Sequence, residues 1–76
     1  MLNPLPGWVP RRRQQIGLQI RNARKAAGLT QIRLGERIGC DDKTISRWEN
    51  GHHPPDLNDL LLIADACNVP LADLVR

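Results

Sequence analysis

Two stretches near the middle of the chain decide the fold: residues 30–39, TQIRLGERIG, and residues 41–51, DDKTISRWENG. Thr30 and Asp41 are residue types that cap helix N-termini, and Gly39 suits a tight turn between two helices. The two stretches therefore predict two short capped helices joined by a glycine turn, which is the spacing of a helix-turn-helix.

The second of these helices is amphipathic. At about 100° per residue, Ile45 and Trp48 fall on one side of it. The opposite side gathers side chains that form hydrogen bonds: Asp42, Lys43, Ser46, Arg47 and Asn50. A polar helix face is most often simply solvated, so this stripe alone does not establish a binding surface.

Size and composition limit the classes of protein to consider. A chain of 76 residues allows one domain and no large internal cavity, which disfavours an enzyme with a deep pocket. Trp8 and Trp48 are its only aromatic residues, so the core must be built from Leu, Ile, Val and Ala, as in small helical bundles. We expect an all-α fold. The chain shows no catalytic triad, metal cluster or phosphate loop, and we expect neither an enzyme nor a cofactor.

Positive charge is concentrated in the first half of the chain. Residues 1–37 hold eight Lys or Arg against one Glu, whereas residues 38–76 hold three against seven acidic residues. The net charges of the two halves are thus +7 and −4, which agrees with +3 for the whole chain. This asymmetry suggests one face turned to a polyanion, with an ordinary solvated surface as the alternative.

Cysteine and histidine usage indicates neither disulfides nor a metal site. Cys40 and Cys67 are far apart in sequence, and His52-His53 lacks the paired cysteines of a zinc finger. The longest apolar run, residues 60–64, is far below the ~20 residues that span a bilayer. We expect a cytoplasmic protein with reduced thiols that does not contact membranes.

The first thirteen residues are predicted to form a flexible or loosely packed arm preceding a domain of residues 14–76. Pro4, Pro6, Gly7 and Pro10 disfavour regular structure, and Arg11-Arg12-Arg13 follows directly. Either these arginines contact DNA or the arm is merely a tail. Trp8 is unusual in such a segment and suggests that the arm folds back or meets a partner.

Three further helices are predicted around the central pair. The first runs from about Arg12 to Ala27, before Gly28, and the fourth runs from its cap Asp56 to about Asn68. A short fifth helix covers residues 71–75. The inward residues of the last two helices are expected to be Leu57, Leu60, Leu61, Ala64, Cys67, Leu71 and Leu74. Gly35 would let a neighbouring helix cross closely.

Residues 16–75 resemble the phage-repressor and Cro-like helix-turn-helix domains, the XRE family. The resemblance rests on Arg24-Lys25, Gly28-Leu29-Thr30-Gln31, Leu34-Gly35, Ile38-Gly39 and the stretch from Thr44 to Gly51. It implies a compact five-helix bundle with the lambda repressor-like fold. It also implies binding to double-stranded DNA, with the helix of residues 41–50 in the major groove.

The resemblance also implies roles by position. Base reading falls to Asp42, Lys43 and Arg47, and contacts to phosphates fall to Gln31, Thr44, Ser46 and Asn50. Arg24 and Glu49 match an ion pair that orients the reading helix. Arg47 suits guanine because its guanidinium matches O6 and N7. Asp42 departs from expectation, since a carboxylate at the tip of the helix repels phosphates, and we expect it to read a cytosine while lowering non-specific affinity.

The function expected is that of a small transcriptional regulator, a repressor of bacterial or phage type, associated with the nucleoid when bound. One reading helix covers few base pairs, so we expect a homodimer on a two-fold site with half-sites ~34 to 36 Å apart. Its dimer surface is expected to comprise Leu61, Leu62, Leu71, Leu74 and Val75. The alternative is an antitoxin or adaptor that mainly binds a protein partner, with DNA binding secondary.

Overall fold

Five helices follow one another along the chain, and the structure, a computed structural model, describes residues 4–76. They are α1 (Trp8–Ala26), α2 (Gln31–Ile38), α3 (Asp42–Glu49), α4 (Leu57–Cys67) and α5 (Ala72–Val75). All regular structure in the described range is helical, which confirms the predicted all-α, five-helix fold. None of these helices combines the length and the apolar character that crossing a membrane requires.

The helix boundaries follow from local capping. The side chain of Thr30 accepts a hydrogen bond from the backbone N–H of Arg33, and Asp41 caps α3 in the same way. Asp56 and Asp59 form a capping box at the start of α4. Asn68 ends that helix in the left-handed conformation, with φ of 57°. The caps predicted at Thr30, Asp41 and Asp56 are therefore confirmed.

Helix α1 begins earlier than predicted. It starts at Trp8 rather than near Arg12, so Arg11-Arg12-Arg13 lies within the helix and not in an extended arm. Pro10 is tolerated because it is the third helical residue, and the first N–H groups of a helix have no intrahelical acceptor. The expectation of an arm therefore fails for residues 8–13, and residues 1–3 of that arm lie outside the described residues.

The core is formed by one large aliphatic side chain from each helix. Ile20, Leu34, Ile45, Ile63 and Leu74 are fully buried. Helix α1 packs against α3, α4 and α5, and α2 packs against α3 and α4. The fold thus holds α3 by its inner face between α1 and α2.

The inward face of α4 differs from the prediction. Leu57 and Leu61 are exposed, at 62% and 49% of their surface, and Ile63 is buried instead. Residues 60–63 are all apolar, so hydrophobicity alone does not show which of them face inward. Contacts with both α1 and α2 decide it, because they centre the buried face of α4 on Ile63.

Two glycines permit close packing next to α3. A Cβ on Gly35 would lie 2.3 Å from the carbonyl oxygen of Cys40, in the turn before α3, so the close approach predicted at Gly35 is to that turn and not to a helix. A Cβ on Gly17, in the middle of α1, would lie 2.4 Å from the carbonyl oxygen of Trp48. The close contact at Gly17 could not be predicted, since a glycine inside a helix gives no sign of what crosses it.

Candidate nucleic-acid interface

Helix α3 is anchored by one face and presents the other to solvent. Ile45, Trp48 and Glu49 are buried, whereas Lys43 and Arg47 are exposed. Asp42 and Asn50 are exposed as well. The structure therefore brings together on one open surface all three residues expected to read bases, Asp42, Lys43 and Arg47.

Thr44 is tied to the helix cap. Its backbone N–H and its hydroxyl both donate to Oδ1 of Asp41, at 2.8 Å and 2.7 Å. These hydrogen bonds hold the pKa of Asp41 below its ordinary value, and the bond from the hydroxyl has the larger effect. Because its hydroxyl hydrogen is committed to Asp41, Thr44 stabilises the start of α3 and does not offer that hydrogen to a phosphate.

Ser46 and Asn50 are joined one turn apart. The side-chain amide of Asn50 donates to the hydroxyl oxygen of Ser46 over 3.3 Å. Ser46 acts only as an acceptor in this bond, so its own hydroxyl hydrogen is still available for donation. Both side chains thus keep the donors that a phosphate contact requires.

Arg24 and Glu49 form the ion pair that the resemblance implies. Arg24 Nε lies 2.6 Å from Glu49 Oε2, and Arg24 Nη2 lies 2.9 Å from Glu49 Oε1. The guanidinium also donates to the carbonyl oxygen of Leu29 at 2.9 Å. The hydrogen bonds to Glu49 raise the pKa of Arg24, against the opposing effect of burial. The pair links α1 to the C-terminal end of α3.

Gln31, the first residue of α2, joins the same carboxylate. Its amide nitrogen donates to Glu49 Oε1 over 3.2 Å, and the residue is half-buried. Three helices therefore meet at Glu49, a connection that the sequence pattern did not reveal. The second hydrogen of the Gln31 amide is still free for the phosphate contact expected of this residue.

The three consecutive arginines of α1 do not form one cluster. Arg12 donates to the carbonyl oxygens of Val75 and Arg76 at the end of the chain. Arg13 is half-buried beside Trp48 and Pro54. Of the three arginines, only Arg11 is exposed. Trp8, which precedes them in α1, is exposed as well. The three arginines therefore do not point to one surface from which they could contact DNA together, as an arginine arm would.

The expected dimer surface also changes. Leu61 and Leu62 are exposed on α4, while Leu71 and Val75 are half-buried. Leu74 is fully buried in the core, so it cannot contact a second copy without unfolding α5. Including Leu74 was wrong because the four-residue helix α5 turns that side chain towards α1.

A concave surface of about 520 Å³ lies on one side of α3. Thr44 and Arg47 of α3 line it together with His53. Asp59 of α4 lines it as well, as does Asp56, the cap of that helix. Two carboxylates make this side unfavourable for phosphates. Within residues 4–76 no three His, Cys, Asp or Glu side chains are grouped as a metal ion would need.

Comparisons with known proteins agree with this geometry. Residues 20–74 match the HTH_3 helix-turn-helix family. The transcriptional regulator ImmR of Bacillus subtilis is 30% identical over 54 residues, which are 71% of this chain and 42% of ImmR. The chain thus spans less than half the length of that relative.

Two solved structures have the same fold. The restriction-modification controller protein C.AhdI of Aeromonas hydrophila superposes with a TM-score of 0.81 at 26% identity, covering 86% of this chain and 94% of C.AhdI. The P22 c2 repressor, solved with a synthetic operator, superposes with a TM-score of 0.74 at 30% identity, covering 80% of this chain and 92% of the repressor chain. The chain therefore belongs to the HTH_3 helix-turn-helix family, the phage-repressor and Cro-like family that its motifs predict.

Proposed function

We propose that this chain is a sequence-specific DNA-binding transcriptional regulator, a repressor that reads the major groove with α3. The open face of α3 is the observation that carries the proposal. Lys43 and Arg47 are exposed there, on a helix whose inner face is fixed by Ile45, Trp48 and the buried pair at Glu49. A rigidly held helix with exposed hydrogen-bonding side chains meets the requirement for direct readout of base edges.

The related proteins support the same function. ImmR is a transcriptional regulator, and the structure of the P22 c2 repressor contains an operator. ImmR is named as a regulator, C.AhdI as a controller protein and the P22 protein as a repressor, and none of these names favours the antitoxin or adaptor alternative. We therefore keep DNA binding as the function to be tested.

Selection from random DNA duplexes tests the proposal. The purified chain should enrich one motif with two-fold symmetry, and its affinity should fall steeply with salt. The Arg47→Ala variant, selected in parallel, should fold as wild type does and enrich a less defined motif. If the folded wild-type chain enriches no motif, the proposal is wrong and a protein partner becomes the function to seek.

We further propose that two copies bind together through α4. Discrimination against a genome needs ~4 to 10 kcal/mol, more than one short reading helix supplies, and a second copy on a two-fold site provides it. The exposed leucines of α4 are the surface proposed for this contact: Leu57, Leu61 and Leu62. Leu57 and Leu61 are four residues apart and so lie on one face of the helix.

Leu61→Glu tests this dimer. It should weaken binding to the full two-fold site and leave binding to a single half-site unchanged. Leu5→Glu is the matched control, because Leu5 is also an exposed leucine but lies outside α4 and outside the helix that carries Arg21. Equal effects of the two substitutions on the full site would show that the copies do not meet through α4.

A further inference from the structure

One row of side chains on α1 runs along the C-terminal end of the reading helix. Gln14, Gly17, Arg21 and Arg24 succeed one another at spacings of three, four and three residues, which places them on one side of α1. For three of these four residues, the structure shows which part of the fold they contact.

Each of those three members lies against the end of α3 or the residue that follows it. Gly17 packs on the carbonyl oxygens of Trp48 and Glu49, where a Cβ would be 2.4 Å and 2.6 Å away. Arg24 pairs with the carboxylate of Glu49. Gln14 lies against Gly51, whose Cβ would be 2.7 Å from Gln14 Cγ. Arg21, between Gly17 and Arg24 in the row, therefore flanks the same end of α3.

Arg21 differs from its neighbour Arg24 because its charge is not neutralised. It is exposed, and no carboxylate lies within 4.0 Å of it in residues 4–76, where the ion pairs are Arg24–Glu49 and Arg33–Glu36. Helix α1 itself contains no acidic residue. A positive charge that no carboxylate of the described residues pairs with thus lies next to the reading helix.

We propose that Arg21 is a phosphate-binding residue, which holds the DNA backbone at the edge of the groove that α3 enters. This inference rests on the proposed function. A helix in the major groove is bordered by the phosphates of both strands, and a guanidinium beside its end matches their oxygens. Because phosphates carry no base identity, Arg21 positions α3 on the duplex and does not select its sequence.

Arg37 provides a matched control. It carries the same charge and is also exposed, but its Nη1 donates to the carbonyl oxygen of Ala66 over 3.3 Å, on the side of α2 that faces α4. Arg21→Ala and Arg37→Ala therefore lower the net charge equally at different places. A difference in DNA affinity between the two variants therefore reports where the lost charge lay and not the change in total charge.

The experiment compares the affinity of wild type, Arg21→Ala and Arg37→Ala across salt, on a selected duplex and on an unrelated one. Losing one phosphate contact reduces the salt slope by ~0.9, so the advantage of wild type over Arg21→Ala should shrink about threefold between ~50 and ~200 mM salt. The loss should be equal on both duplexes, and Arg37→Ala should keep the wild-type slope. Thermal unfolding checks that both variants fold as wild type does.

Equal slopes for Arg21→Ala and wild type would overturn the inference, as would a change in base preference. The proposed function fails separately, if wild type shows no preference between the two duplexes. In that case the slope of Arg21→Ala on either duplex still reports on the phosphate contact. Arg21→Lys should retain most of the slope, since the charge is kept.

Discussion

Glu49 accepts two hydrogen bonds from the guanidinium of Arg24, 25 residues earlier in the chain, and both residues are buried. The desolvation of two buried charges offsets much of their attraction, so the pair adds little net stability. It instead defines one orientation of α3 relative to α1. Gln31 donates to the same carboxylate, so the start of α2 is held in that arrangement too.

Removing one partner of this pair should destabilise the fold strongly. Glu49→Ala leaves Arg24 buried without its counter-charge, and the free energy of unfolding in urea should fall by ~3 to 5 kcal/mol. Replacing both partners by apolar residues, Arg24→Met with Glu49→Leu, should recover most of this loss. DNA affinity should stay low in the double variant, since α3 has lost its orienting contact. A loss near zero for Glu49→Ala would show that the pair is not buried as described.

Gly17→Ala tests the close approach of α1 and α3. Alanine normally stabilises a helix interior by ~0.5 to 1 kcal/mol relative to glycine. Here its Cβ would meet backbone carbonyl oxygens, which cannot move as a side chain can, so we expect a loss of ~1 to 3 kcal/mol or more. Chemical denaturation measures the change. Gly7→Ala is the control, because its Cβ would meet nothing nearer than Arg11 Nη1 at 4.0 Å.

Local signals account for the part of the fold that was predictable. Helix caps are short-range hydrogen bonds, so Thr30 and Asp41 could be located from residue type and spacing. The inward face of α4 could not, because its run of apolar residues has no periodicity and contacts distant in sequence select Ile63. The early start of α1 was missed because Pro10 is read as a helix breaker, although a first-turn position tolerates it.

The candidate site was predictable to a similar extent. The outward direction of Lys43 and Arg47 follows from the helical period once Ile45 and Trp48 are taken as buried. The hydrogen bond that commits the Thr44 hydroxyl to Asp41 does not follow, since a threonine at this position has several acceptors within reach. Nor does the place of Arg21, which depends on how α1 crosses the end of α3.

The cap of α3 should make stability depend on pH. Asp41→Ala should lower the free energy of unfolding at neutral pH, because it removes the acceptor for two hydrogen bonds from Thr44. The pKa of Asp41 lies below its ordinary value of 3.8, so the charged cap stabilises the fold above that pH. This part of the stability is lost as the pH falls through the lowered pKa.

Asp41→Asn isolates that titration, since asparagine caps nearly as well and does not ionise. The difference in unfolding free energy between wild type and Asp41→Asn should be constant at neutral pH and change only below about pH 4. A difference that changes between pH 5 and 7 would assign the effect to another group.

Arg47→Ala should reduce affinity for the selected duplex by ~1 to 3 kcal/mol and relax the preference at one base pair. The reason is that the arginine fork recognises a guanine edge that other base pairs do not present. Asn50→Ala, at a residue expected to contact phosphate, should instead weaken binding to every duplex alike. Affinities for single-base variants of the duplex distinguish the two patterns. Uniform weakening by Arg47→Ala would make it a phosphate contact.

Asp42 is the residue whose charge opposes DNA binding. It is exposed at the first position of α3, where the helix dipole favours a carboxylate but approaching phosphates do not. A carboxylate can accept from cytosine N4, whereas an asparagine amide pairs with adenine N6 and N7. Asp42→Ala should therefore abolish a cytosine preference at one position of the selected motif, and Asp42→Asn should shift it towards adenine.

Both Asp42 variants remove a negative charge, so both should bind unrelated duplexes more tightly than wild type does. Sequence selection and affinity for an unrelated duplex measure the two effects independently. If both variants gain non-specific affinity and keep every base preference, Asp42 acts only through its charge and the cytosine contact is wrong. If the preference changes without any gain, the carboxylate is far enough from the phosphates for its repulsion to be screened by salt.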